Sequence, residues 1–226
     1  MPTLPGSAWS ILQRDMRLAW RRRGDALQPV WFSVLVIALF AIALNAEAEM
    51  LRKISIAVIW VTVLLAGLLT LDQLFRGDAE DGTLEQWLLS AVPLGWLMAA
   101  RTFSHWCVTT LPLLFAVPLL ALLMKFPVEH LPWLLLSLLV GSMLLSLIGA
   151  IIAALTVNMR RAGMMMALLA LPLYVPVLIF GTSSVTAATQ GLDPLGSGLL
   201  QLLTGLVIAL ILAPWATAAA MRISLT

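Results

Sequence analysis

The chain has 226 residues, 62% of them hydrophobic and 11% charged, with a formal net charge of +2 at pH 7. A water-soluble core of this length does not need so much apolar surface, so the expected solvent is a bilayer and a soluble globular domain is excluded. So few charges leave no footprint for nucleic acid, and the single cysteine, Cys107, excludes an intrachain disulfide or a cysteine metal cluster.

Residues 1–26 are expected to form a cytoplasmic amphipathic helix. Trp9, Leu12, Met16, Ala19 and Trp20 recur at helical spacing, whereas Gln13, Arg14, Arg17 and Arg21 fall elsewhere. Such a helix lies in the headgroup layer with its arginines towards anionic lipid. Met1 to Trp20 lacks a continuous apolar core and runs into Arg21-Arg22-Arg23, so it is not expected to be a cleavable signal peptide. Gly24-Asp25 is expected to end this helix, and Pro29 suits the start of the next. The pattern fits a simple basic anchor and a docking or gating helix equally.

Six apolar runs follow, each long enough to cross roughly 30 Å of hydrocarbon. They are predicted at 27–44, 54–71, 101–124, 133–157, 164–181 and 198–221. The expected fold is an all-α membrane protein: one six-span domain over 27–221, with 222–226 as a cytoplasmic tail. The connectors are short except for 72–100. Arg14, Arg17, Arg21, Arg22, Arg23, Arg76, Arg101, Arg160, Arg161 and Arg222 fall on one side, and only Arg52, Lys53 and Lys125 on the other. The excess of basic residues places both termini and the long connector in the cytoplasm.

The interiors of the predicted spans hold no Asp, Glu or Lys. A charge at a helix centre costs about 2.5–3.5 kcal/mol on insertion scales and is kept where function demands it. The chain therefore lacks the obvious parts of an ion-coupled pump. Neither lysine follows a glycine-rich turn, so there is no phosphate-binding loop, and energy for uphill transport has to arrive from a partner. No paired carboxylates, metal-ligand spacing or nucleophile–base pair supports an intramembrane enzyme.

Span four carries Ser142, Ser146, Gly149, Ala150, Ala153 and Ala154, and span six carries Gly205, Ala209, Ala213 and Thr217. Small residues four apart allow close helix approach, either inside one bundle or between subunits. Prolines interrupt span three (Pro112, Pro118), span five (Pro172, Pro176) and span six (Pro214), and span five is the expected broken helix. Trp31, Trp60, Trp96, Trp106, Trp133 and Trp215 are expected to form an interfacial belt. His105 and His130 lie at opposite ends of span three, roughly 30 Å apart at 1.5 Å per residue. They are expected to be packing or interface residues rather than ligands of one iron, and Cys107 to be a packing residue.

The long connector is the densest charged feature. Asp78, Glu80, Asp81 and Glu85 face only Arg76. Gly82 permits a sharp turn, and Thr83-Leu84-Glu85-Gln86 reads as a capping box with threonine at the N-cap and glutamine at N3. Leu84, Trp87, Leu88 and Val92 would form a membrane-facing stripe, and Pro93 and Gly95 would stop the helix. The carboxylates near its start favour the positive end of the helix dipole. Residue chemistry alone fits either a coupling helix or a solvated connector.

The pattern Phe75-x-x-Asp78-x-x-Asp81-Gly82-x-Leu84-Glu85-Gln86 resembles the cytoplasmic loop of CcmB-type permeases of cytochrome c maturation. Glu80-Asp81-Gly82-Thr83-Leu84-Glu85 resembles the E-x-G-T-L-E loop of ABC-2 exporter permeases more broadly. Arg14-Asp15-Met16-Arg17-Leu18-Ala19-Trp20-Arg21-Arg22-Arg23 resembles the start of CcmB proteins. The resemblance implies a multi-pass ABC-transporter membrane subunit of the bacterial inner membrane, with Phe75, Asp78, Asp81, Gly82, Thr83, Leu84, Glu85 and Gln86 as an ATPase-coupling loop. It implies as partners a CcmA-type ATPase that binds ATP, a CcmC-type heme-handling protein, a small CcmD-type protein and a CcmE-type heme chaperone. No cofactor is then expected on this chain, with heme as possible cargo. Competing expectations are an ABC-2 permease for a lipid, drug or polysaccharide, and a non-transporting scaffold for heme-handling proteins.

Overall fold

The computed structural model describes residues 4–21, 23–44, 47–159 and 162–225. Arg22, Arg160 and Arg161 of the basic count lie outside the described residues, as do the side chains of Arg21 and Arg23. In hydrocarbon every backbone N–H and C=O has to find its partner inside the segment, so long apolar runs become helices. The described elements are accordingly helical: α1 (Leu4–Arg21), α2 (Arg23–Ala43), α3 (Ala48–Leu71), α4 (Gln73–Glu80), α5 (Thr83–Leu88), α6 (Leu94–Leu123), α7 (Leu131–Thr156), α8 (Ala162–Thr189) and α9 (Leu200–Leu225). Five helical segments are long and apolar enough to cross a membrane: Ala48–Glu80, Leu94–Leu123, Val128–Thr156, Ala162–Thr189 and Leu195–Leu225. The first predicted run appears as a shorter apolar stretch, Leu27–Ala43, within α2.

α7 is the central post, packed against α3, α6, α8 and α9. Its apolar window is 67% buried, against 22% for α8 and 17% for α9, so those two helices turn most of their surface outward. The small residues of the predicted spans four and six serve internal packing. Gly149, Ala150, Ala153 and Ala154 of α7 and Ala213 and Thr217 of α9 are buried, and α7 with α9 is the most extensive helix pair.

Packing also corrects the tryptophan belt. Trp31, Trp96 and Trp215 are exposed, but Trp60 is fully buried and Trp106 nearly so. Trp60 of α3 lies in a notch formed by Gly141 of α7 and Gly181 of α8. A Cβ at either glycine would fall 2.3 or 2.1 Å from the indole, inside any allowed contact. Trp106 donates its indole N–H to the Ser142 hydroxyl at 3.1 Å, joining α6 to α7. Tyr174 of α8 covers Gly149 of α7 and donates to the Leu145 carbonyl of α7 at 3.0 Å.

α8 is not broken. It runs unbroken from Ala162 to Thr189 through Pro172 and Pro176. Both prolines are exposed while Tyr174 and Val177 face inward, so the ring bulk falls where no neighbouring helix obstructs it. The irregular backbone occurs instead before α9, as a π-helical turn at Leu195–Leu199. Other boundaries also shift. Gly24 and Asp25 lie inside α2, α6 begins at Leu94 rather than near 101, and α9 continues to Leu225.

Two ends of the bundle are distinguished by what meets there. At one end α1 and α4 meet the start of α6, and Ser224 near the end of α9 donates to the Ala154 carbonyl of α7 at 2.7 Å. At the other, the start of α3 faces the ends of α6 and α8.

Candidate functional site

α4 and α5 are the structured form of the acidic connector. The apolar run of α3 ends at Leu71, but Asp72 keeps right-handed helical geometry, so the chain passes almost without interruption into α4. On its outer face Arg76 spans one turn each way, 2.6 Å from Asp72 and 3.2 Å from Glu80. Leu74, Phe75 and Asp78 occupy the inner face and are buried. At Gly82 the backbone turns left-handed with φ 70°, a conformation that suits glycine.

The capping box does not form. Gly82, not Thr83, occupies the N-cap, Thr83 is already helical, and no side chain caps this end. The physical reason is that the left-handed glycine completes the turn one residue earlier than the threonine-capped reading requires. The connector is helical and anchored rather than free, since Phe75 and Leu84 are 1% and 0% exposed, while Arg76, Glu80, Asp81, Glu85 and Gln86 remain exposed. α5 ends at Leu88, so Val92, expected as the last residue of the stripe, lies beyond the helix.

The main site is a ring of charges that joins α1, α4 and α6. Asp15 of α1 and Asp78 of α4 are buried, and each carboxylate touches two guanidinium groups. Arg101 of α6 places Nη1 2.6 Å from Asp15 Oδ2 and Nε 2.6 Å from Asp78 Oδ2. Arg14 closes the ring, with Nη2 2.8 Å from Asp78 Oδ1 and Nε 3.3 Å from Asp15 Oδ1. Ser104, one turn beyond Arg101, donates its hydroxyl to Asp15 Oδ2 at 2.6 Å. Two positive and two negative groups alternate, so the ring is neutral and every carboxylate oxygen is engaged. Buried charges persist under that condition.

Arg14 also lies 6.0 Å above the Trp87 ring, which draws α5 into the same cluster. Burial works to lower the Arg14 pKa, but the attraction of Asp78 and Asp15 outweighs it and raises the pKa above its ordinary value. The guanidinium therefore stays charged.

The eight sequence-predicted site residues separate into two sets. Phe75, Asp78 and Leu84 point into the protein as anchors, while Asp81, Glu85 and Gln86 are exposed and Gly82 and Thr83 are half-buried. Asp15, Arg101 and Ser104 were missed as site residues. A signal was available: Asp15 is the one acid in α1, and Arg101 the one charged residue in α6. α1 thus turns Asp15 towards the bundle and leaves Trp9 and Met16 exposed. Beside the ring, a cavity of about 320 Å³ lies between α4 and the facing ends of α7 and α8, lined by Phe75, Arg76, Glu80, Asn158 and Met166 among others.

His105 Nε2 lies 3.1 Å from the Thr70 carbonyl of α3, while His130 lies 3.9 Å from its neighbour Glu129 in the turn before α7. The two rings do not meet. Cys107 is a free, half-buried thiol. Among the described residues no three His, Cys, Asp or Glu side chains gather in a way that could hold a metal ion.

A helical bundle with five membrane-length apolar helices, and with its acidic helix pair held against the bundle by a buried charge ring, defines a multi-pass membrane protein. The family model described as CcmB protein matches residues 6–224. The chain belongs to the CcmB family. It is 46% identical over 214 residues to Heme exporter protein B of Pseudomonas aeruginosa, covering 95% of this chain and 96% of the relative. The protein of the same name from Haemophilus influenzae is 42% identical over 216 residues, 95% and 97% of the two chains. That from Escherichia coli K12 is 41% identical over 218 residues, 96% and 98%.

Proposed function

We propose that this chain is the permease subunit of an ABC complex for cytochrome c maturation. It would couple ATP hydrolysis by a partner ATPase to heme export, or to release of a heme-loaded periplasmic chaperone. The observation that carries the reading is the near full-length match to proteins named Heme exporter protein B. In this reading α2 supplies span one and completes the set of six, because its 21 residues reach about 30 Å at 1.5 Å per residue. Both termini and the charge ring face the cytoplasm of a bacterial inner membrane, in line with the arginine count.

The exposed Asp81, Glu85 and Gln86 meet a CcmA-type ATPase, and the buried Phe75, Asp78 and Leu84 carry its motion inward. Through Arg101 and Asp15 that motion reaches α6 and α1 together. CcmC-, CcmD- and CcmE-type proteins and membrane lipids complete the partner set, and nucleic acid is not among them. The chain itself is no enzyme and holds no cofactor: ATP belongs to the ATPase and heme is cargo.

The test is c-type cytochrome content by heme stain in the source bacterium after deletion of this gene. Wild type should restore it, and a stably inserted Asp81→Lys/Glu85→Lys variant should not. Normal cytochromes without the gene would replace this reading by an ABC-2 exporter of another substrate. Full rescue by the charge-reversed variant would remove the coupling role from the exposed carboxylates.

A further inference from the structure

At the end opposite the charge ring, a cavity of about 840 Å³ opens between the first turns of α3, the last turns of α8 and the α6–α7 connector. Its wall holds Arg52, Lys53 and Lys125, the three basic residues that the sequence places at this end and both of the chain's lysines. Lys53 is paired with Glu49 at 3.2 Å, on the same wall. Arg52 and Lys125 have no carboxylate within 4.0 Å among the described residues. The cavity therefore carries net positive charge with two cations uncompensated.

The backbone at Lys125 adds an independent sign. α6 ends in a Schellman motif: the Phe126 N–H donates to the Ala121 carbonyl at 2.9 Å and the Lys125 N–H to the Leu122 carbonyl at 3.0 Å. Lys125 takes the left-handed position with φ 55°, which glycine would adopt freely and which strains other residues. The strained position bears a cation on the wall of the cavity. Thr182 and Thr186 donate their protons to carbonyls within α8, so Gln190 joins the cations as a donor towards a ligand.

The opposite requirement, apolar surface, is met alongside. Ile56, Ala57, Phe126 and Pro127 line the same cavity. A shallower groove of about 450 Å³ shares Thr182, Thr186 and Gln190 with it and continues past Ile179 and Leu192, both exposed, along the outer side of α8. A cationic pocket with an apolar lateral exit suits a molecule whose charged head is fixed while its body remains in the membrane. Arginine grips planar carboxylate or phosphate oxygens bidentately, and lysine adds a point charge.

We propose that this cavity binds the anionic head of an amphiphile, one that bears two or more carboxylate or phosphate oxygens on an apolar body and enters along α8. The same chemistry is offered by a phospholipid headgroup and by a tetrapyrrole dicarboxylate. The site does not depend on which partner docks at α4 and α5.

The full-length protein in phosphatidylcholine nanodiscs is titrated with hemin, with hemin dimethyl ester and with phosphatidylglycerol, and compared with empty discs. Absorbance reports the two hemins and native mass spectrometry the lipid. Three proteins are used: wild type, Arg52→Gln/Lys125→Gln, and Lys125→Gly. The glycine variant removes one cation while relieving the strained backbone, so it should unfold no earlier than wild type and still bind less. Loss of affinity of about tenfold per cation is expected for the true ligand. A loss for hemin but not for its ester or the lipid identifies a dicarboxylate site, and a loss for phosphatidylglycerol alone identifies a lipid site. Binding of both anions unchanged in both variants overturns the proposal and leaves the cytochrome test above unaffected.

Discussion

Asp15 and Asp78 each keep a carboxylate almost wholly out of water, where a lone charge would not persist. Their stability is shared with the arginines, and the two arginines are unequal. Arg101 has a side chain 13% exposed and reaches both carboxylates at 2.6 Å, whereas Arg14 is 38% exposed. Removing one member of a buried pair leaves its partner uncompensated, a loss of about 3–5 kcal/mol, while solvent-screened pairs contribute about 1 kcal/mol or less. Arg101→Leu should therefore lower the unfolding temperature in detergent steeply and open α1 to protease, and Arg14→Ala, which leaves one oxygen of each buried carboxylate unpaired but open to water, should do less of both. Equal effects would show that the ring has no such hierarchy. The sequence made the charges of this cluster visible but not their partners: Asp15 and Arg101 are 86 positions apart, and no local pattern connects them.

Helix ends and helix notches were legible to different degrees. The apolar runs that became α3, α6, α7, α8 and α9 were readable because hydropathy is a property of each segment. The start of α5 was not, because a glycine in left-handed geometry and a threonine cap compete for the same turn and differ by one residue. The notch around Trp60 also lay beyond reach, since Gly141 and Gly181 come from separate helices. That notch has a measurable consequence. A Cβ at Gly181 would sit 2.1 Å from Trp60 Cζ2. Gly181→Ala should destabilise the bundle by about 1–3 kcal/mol or more through overpacking. Trp60→Phe removes the clashing half of the indole, so the double variant should recover part of that loss in thermal unfolding. A Gly181→Ala protein as stable as wild type would mean that α3 and α8 do not pack this closely.

Over the whole molecule, charge divides the bundle into a ringed end and a cationic-cavity end, with α7 as the post between them. Exposed Glu85 marks the first end and Glu129, 76% exposed, the second. With Cys107 replaced by serine, an impermeant maleimide applied to cells with a permeabilised outer membrane should label Glu129→Cys at once and Glu85→Cys only after lysis. The reverse order would invert the proposed orientation. By itself the sequence determined that the chain is a helical membrane protein, because bilayer burial and backbone self-satisfaction act on each segment alone. The predicted orientation has the same local origin, since positive residues count by loop. The tertiary structure decided which charges neutralise one another, which glycines admit an aromatic ring and which lysine turns into a cavity. Those outcomes depend on distances between helices far apart in the chain, and such distances are set when the helices pack.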